Sequence, residues 1–188
     1  MQEALVKQSP ENVEWRADLG WTLQGLGRNL VARQQPREAK EVLQEAVASS
    51  KLLLERAPRV TMHRRLLHNH YGLLAEIEWR QGNAEASVSW ALRKKALWPG
   101  NGWELYRAAA EVSRAAALLG EEEEMPPARR KQYNRYIEQS LAALREAVQA
   151  GFADAAALSK DPDLKPLRGR EAFEKLLRMM PAPGRVGQ

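Results

Sequence analysis

The three histidines are the first residues in the chain whose types and spacing could support chemistry. His63, His68 and His70 lie within TMHRRLLHNHYG, which also spells the His-Asn-His of a nuclease motif. On a helix, His68 and His70 project about 200° apart, and His63 lies about 10.5 Å from His70 along the axis. Helical zinc ligands instead sit three or four residues apart, and leucines occupy those positions around His70. We therefore predict solvated or packed histidines and no metal site.

Other patterns that could carry catalysis are weak in this sequence. The chain has no cysteine, which excludes disulfides, zinc thiolate sites and cysteine nucleophiles. It also lacks a Gly-x-Ser-x-Gly elbow and the motifs of a kinase catalytic domain. Asp161 and Asp163 fit a helix start better than a cation site, and the glutamates at 121–124 fit a solvated loop. We predict no enzyme activity, no catalytic residue and no cofactor.

Composition and charge narrow the class of protein. The chain has 188 residues, 44% of them apolar and 28% charged, which is typical of a soluble globular protein. No apolar run approaches the roughly 20 residues that span a bilayer, and MQEALVKQSP lacks the order of a secretory signal. We therefore predict a cytoplasmic protein without a membrane partner. The net charge of +5 is concentrated in residues 59–95, which leaves a phosphate-binding surface as an alternative.

Prolines and apolar periodicity predict the elements that must position any site. Pro10, Pro58 and Pro99 each follow one long helical pattern and precede another, at spacings of 48 and 41 residues. Helix-forming residues dominate between them, and apolar residues recur every three or four positions. We predict an all-α chain with helices at about 12–33, 36–57, 60–81, 84–98, 102–119 and 127–150.

The predicted helices pair into three antiparallel hairpins, because each proline period holds two of them. The hairpins are 11–58, 59–100 and 101–151; residues 1–10 look like the remnant of a preceding repeat helix, as in a fragment of a longer protein. Residues 152–180 are predicted as a short helical cap and 181–188 as a flexible tail. A hairpin cannot bury its apolar side alone, so neighbouring hairpins must stack. Small residues such as Gly27, Ala39 and Ala46 should let paired helices approach closely.

Two of the hairpins carry a recurrent set of residues. The first has Leu26-Gly27, Leu30, Ala39, Leu43 and Ala46, and the second has Leu74-Ala75, Gly82, Ala86 and Trp90. These residues and spacings resemble the tetratricopeptide repeat family. Gln34 departs from the family pattern at the turn glycine, and Leu43 departs at the aromatic position. The resemblance implies a superhelix of stacked hairpins, with helices longer than those of the 34-residue family unit.

The C-terminal third carries a second resemblance. Residues 140–177 offer Asp161 as a cap, Pro162 at the first helical position, and apolar residues including Leu164, Leu167 and Phe173. The segment resembles the element that closes tetratricopeptide regions at the C-terminal ends of some bacterial serine/threonine protein kinases. The resemblance implies a regulatory or scaffolding region of a signalling protein such as a kinase.

The family resemblance also implies where a partner binds. Tetratricopeptide arrays line a concave groove with the first helix of each hairpin, which here gives Trp21, Gln24, Arg28, Arg65, Asn69, Glu76, Trp79, Trp103, Arg107 and Arg114. Arginine forks to carboxylates and tryptophan receives apolar side chains, so we expect a peptide or partner helix with acidic character. The alternative is a helical-repeat nucleic-acid-binding protein that uses the basic surface of residues 59–95.

Overall fold

The computed structural model describes residues 12–120 and 125–180, in which every regular element is helical. The elements are α1 (Val13–Ala32), α2 (Pro36–Arg56), α3 (Thr61–Arg80), α4 (Ala84–Ala96), α5 (Gly102–Ala117), α6 (Pro127–Gln149), α7 (Ala155–Lys160), the 3₁₀ helix Pro162–Leu167 and α8 (Glu171–Met179). The predicted all-α fold is confirmed, and the six long helices begin and end within two residues of the predicted bounds. The predictions for 1–10, 121–124 and 181–188 lie outside the described residues.

The chain divides after Gln81 into two compact units. The first unit contains α1, α2 and α3, and the second contains the helices from α4 to α8. The segment 59–100, which we predicted as one hairpin, is therefore shared between the units. The packing gives the reason, because α3 packs on α2 within the first unit and α4 packs on α5 within the second.

In the first unit, α1 and α2 pack antiparallel along a seam of small residues. Ala39 and Ala46 are fully buried, as the sequence predicts. A Cβ atom added to Gly27 would lie 2.8 Å from the Leu43 side chain. A larger side chain has no room at such a contact, because helix interfaces are close-packed.

The turn between α1 and α2 holds a residue in the left-handed conformation. Gln34 has a φ of 59°, which glycine adopts at lower cost than any other residue. Its N–H donates to Val31 O at 3.0 Å, and the Gln35 N–H donates to Leu30 O at 2.9 Å. These bonds satisfy carbonyls at the end of α1. The turn therefore keeps a glycine-like conformation at Gln34, where the sequence resemblance leads us to expect a glycine.

In the second unit, α5 is the central helix. It packs against both α4 and α6, and the Ser140 hydroxyl donates to Ala109 O at 2.8 Å. The predicted cap segment is helical, and its Leu164, Leu167 and Phe173 are buried in the core that α5 and α6 share.

None of the described helices combines the length and the apolarity that a membrane span requires.

The start of the 3₁₀ helix matches the predicted cap. Asp161 Oδ1 accepts from the Asp163 N–H at 2.9 Å, and Pro162 is the first residue of the helix. The conformation is 3₁₀ rather than α. This short element places both aspartates beside α5, where they border the site described next.

Candidate partner-binding site

One narrow face of α5 carries three of the predicted groove residues. Trp103, Arg107 and Arg114 follow one another at four and seven residues, so they project within about 40° of each other. Trp103 is 53% exposed, Arg107 is exposed and Arg114 is half-buried. The other sides of α5 pack against α4, α6 and the 3₁₀ helix. We call these three residues the α5 stripe.

An aromatic cluster holds Trp103 at the start of the stripe. Its ring centroid lies 5.4 Å from that of Tyr106 and 5.6 Å from that of Phe152, and Tyr106 stacks on Phe152 at 4.6 Å. Gly102 permits this approach, since a Cβ atom there would lie 2.8 Å from Phe152 N. The indole is therefore fixed on one side and open to a ligand on the other.

The 3₁₀ helix places two carboxylates along one edge of the stripe. The Tyr106 hydroxyl donates to Asp161 Oδ2 at 2.5 Å, although 55 residues separate the two in sequence. Burial, and then this hydrogen bond, raise the pKa of Tyr106 well above its usual value, so the hydroxyl remains a donor. Arg114 Nε lies 3.9 Å from Asp163 Oδ2. The protein itself thus supplies a carboxylate to one arginine of the stripe.

Arg107 is the arginine of the stripe that is best placed to meet a ligand. It is exposed, and it forms no hydrogen bond or ion pair with any residue in 12–120 or 125–180. Its guanidinium presents five N–H donors in a planar fork that matches a carboxylate. Trp103 lies one helical turn before it. Together they can receive an acidic and an apolar side chain of one ligand.

Ion pairs with α5 and α6 occupy two basic residues of α4 that favoured nucleic-acid binding. Lys94 is buried and pairs with Glu111. Lys95 Nζ lies 2.6 Å from Glu146 Oε1. Both lysines therefore neutralise carboxylates of the protein itself, and phosphate contacts would have to compete with these pairs.

In the first unit, the predicted groove residues on α1 divide by exposure. Trp21 is 40% exposed and Arg28 is exposed, whereas Gln24 is only 5% exposed. Gln24 lies between Gly20 and Gly27, the glycines at which side chains of α3 and α2 press against α1. Gln24 therefore lies on the packed side of α1, and its role in a partner-binding groove stays a prediction.

On α3, the four predicted groove residues Arg65, Asn69, Glu76 and Trp79 are all half-buried. Arg65, Asn69 and Glu76 share one face, as their spacing of four and seven residues requires. Glu76 accepts from Arg80 Nε at 2.7 Å, so its carboxylate already has a cationic partner one turn later. It stays a prediction that α1, α3 and α5 present these residues to one common groove.

The histidines are packed residues, and all three are buried. His70 Nε2 lies 3.2 Å from Gly20 O, and its Nδ1 lies 3.2 Å from Ser50 Oγ. A carbonyl only accepts, so Nε2 carries the proton and the Ser50 hydroxyl donates to Nδ1. Burial lowers the pKa of His70 from 6.5 to about 4, although the bond to Gly20 opposes the shift.

The Ser50–His70 pair has the residue types of a nucleophile and its base. Both residues are 0% exposed, so a substrate has no access to the hydroxyl. The pair instead joins α1, α2 and α3 through one neutral ring. Sequence reasoning missed it, because Ser50 lies 20 residues and Gly20 lies 50 residues from His70.

The six tryptophans lie at the surface of the helices rather than in the core. Trp21 and Trp103 are exposed, and the four half-buried ones are Trp15, Trp79, Trp90 and Trp98. Arg93 covers the Trp90 ring at 4.5 Å from its centroid. Core or hairpin packing, the usual role of a tryptophan on a helix, therefore does not account for the two exposed indoles.

Within residues 12–120 and 125–180, no three histidine, cysteine, aspartate or glutamate residues form a group that could hold a metal ion. Comparisons with protein-family models, curated proteins and solved structures give no match for this chain. We therefore infer function from the geometry of the described residues and from the sequence resemblance.

Proposed function

We propose that this chain is a non-catalytic protein-interaction module of the tetratricopeptide type, which binds a peptide or partner helix with acidic character. The observation that carries the proposal is that Trp103 and Arg107 are both exposed, one helical turn apart, on the α5 stripe. The resemblance of residues 140–177 further supports a role as the accessory or scaffolding region of a signalling protein such as a serine/threonine kinase.

The surface chemistry of the stripe supports a protein ligand. Tryptophan and arginine are the residue types that most often dominate protein interfaces. Here Trp103 is more than half exposed although a fully packed position would remove more apolar area from water. Arg107 adds a charge that Arg114 cannot offer equally, since Asp163 lies beside Arg114. The acidic character of the ligand follows from Arg107.

Nucleic-acid binding through residues 59–95 receives less support. Lys94 and Lys95 pair with Glu111 and Glu146. Salt-dependent phosphate binding needs several cations that can release counterions, and these two are already neutralised.

The test is a pull-down from cytosol followed by titration of the recovered partner against two variants. Arg107→Ala should weaken binding by about 1–3 kcal/mol, because a charge-assisted hydrogen bond is lost. The exposed Lys51 provides a control, and Lys51→Ala should bind like wild type. The proposal fails if Arg107→Ala also binds like wild type while replacement of Arg93, Lys94 and Lys95 abolishes binding.

A further inference from the structure

A second surface of the second unit has the shape of a docking groove. It runs between the last turns of α6 and the length of α8, and α6 lines it with Arg145, Val148 and Gln149 while α8 lines it with Ala172, Lys175 and Met179. Its volume is about 580 Å³. We call it the α6–α8 groove. None of these six residues belongs to the α5 stripe.

The floor of the groove is apolar. Val148 and Ala172 are half-buried, and Leu176 contributes the edge of a side chain that is otherwise buried. Met179 is 71% exposed, the highest value among the large apolar residues described. An exposed methionine beside an apolar floor adapts to the side chains of a ligand, since its thioether chain is flexible and polarisable.

A row of side chains on each of the two helices favours a helix as the ligand. Ala172, Lys175 and Met179 follow one another at three and four residues, so they form one ridge of α8, and Arg145 and Val148, three residues apart, share one face at the end of α6. The space between two such ridges accepts the ridge of a third helix. An amphipathic helix would place its apolar face on this floor.

The rim of the groove determines the charge of that helix. Arg145 and Lys175 are exposed, and neither has a hydrogen-bond or ion-pair partner among the residues that the structure describes. Glu171 is the one carboxylate among the residues that line the groove. The rim is therefore net positive. It complements carboxylates on the polar face of the ligand.

We propose that the α6–α8 groove binds an amphipathic helix whose polar face is acidic. This site goes beyond the proposed function, because it does not require the α5 stripe. The proposal for either surface can be disproved without affecting the proposal for the other.

The absence of cysteine from the sequence permits a site-specific test. Gln149→Cys carries an environment-sensitive fluorophore at the edge of the groove in the full chain. The probes are two designed 18-residue helices with the same leucine face, one with glutamates and the other with lysines on the polar face. The glutamate helix should change the emission saturably, and the lysine helix should bind at least about tenfold more weakly.

Two double variants in the labelled protein assign the contact. Arg145→Ala/Lys175→Ala should weaken binding of the glutamate helix at least about tenfold, because two charge-assisted contacts are lost. Arg33→Ala/Lys51→Ala removes the same charge from exposed positions of the first unit and should have little effect. Thermal melts of all proteins exclude a loss of fold.

Four results would overturn the proposal. One is equal binding of the two helices, and another is a loss caused by Arg107→Ala but not by the groove variant. A third is a concentration-dependent dimer that Lys175→Glu dissociates, which would assign the groove to a second copy. The last is a change in the emission of the fluorophore when residues 181–188 are deleted and no peptide is present. That result would assign the groove to the tail of this chain.

Discussion

The buried imidazole of His70 links the stability of the first unit to pH. Its pKa is lowered from 6.5 to about 4 by burial, so the folded protein binds this proton less readily than the unfolded chain does. The contribution of the neutral His70 ring to the free energy of unfolding is therefore complete above pH 6.5 and is lost as the pH falls toward 4. The loss amounts to about 3 kcal/mol at most, at about 1.4 kcal/mol per pKa unit.

A substitution at this residue tests the linkage. His70→Gln keeps an amide donor for Gly20 O but has no proton to take up in this range. We expect the free energy of unfolding, measured with urea, to fall less between pH 6.5 and 4.5 in His70→Gln than in wild type. Carboxylates titrate in both proteins, so the difference isolates His70. Equal losses of unfolding free energy would show that the His70 ring takes up its proton in the folded protein as readily as in the unfolded chain.

At the scale of the element, the turn between α1 and α2 holds Gln34 at a φ of 59°. A non-glycine residue in this conformation costs about 1–2 kcal/mol of stability. Glycine avoids this cost, but it also loses more conformational freedom on folding, which offsets part of the gain. We expect Gln34→Gly to raise the free energy of unfolding by up to about 1 kcal/mol. Gln35 has a φ of −109°, so Gln35→Gly gains no relief and should lower it. A lower stability for Gln34→Gly would contradict this account of the turn.

The helices were predictable from sequence because their signals are local. Pro36 and Pro127 at helix starts and the periodicity of apolar residues lie within a few residues of the structure they determine. The seam at Ala39 and Ala46 followed from the small residues that the tetratricopeptide resemblance singled out. The burial of Gln24 was not predictable, because periodicity does not say which side of α1 meets a second neighbour.

Contacts between distant segments were not predictable in this way. The Tyr106–Asp161 hydrogen bond and the Arg114–Asp163 approach depend on the path of the chain after α6. Asp161 was expected as a cap, which it is, but its second oxygen has a tertiary role. The α6–α8 groove likewise depends on how the cap segment returns to α6, which no local pattern encodes.

At the scale of the whole molecule, two units carry the predicted binding residues. The described helices of the first unit expose Trp21 and Arg28, and those of the second expose Trp103 and Arg107. Each unit therefore presents an aromatic and a basic residue on one helix. We expect the ligand of this module to combine apolar anchors with carboxylates.

Charge reversal is the most direct test of the claim that Arg107 receives a carboxylate of the partner. The measurement is calorimetric titration of the minimal binding segment of the recovered partner, and of versions in which single acidic residues are replaced by lysine. Arg107→Glu should abolish binding of the native segment, and one lysine version should restore it, because opposite charges again face each other. If Arg107→Glu binds the native segment as wild type does, or if no lysine version restores binding, Arg107 does not contact an acidic ligand.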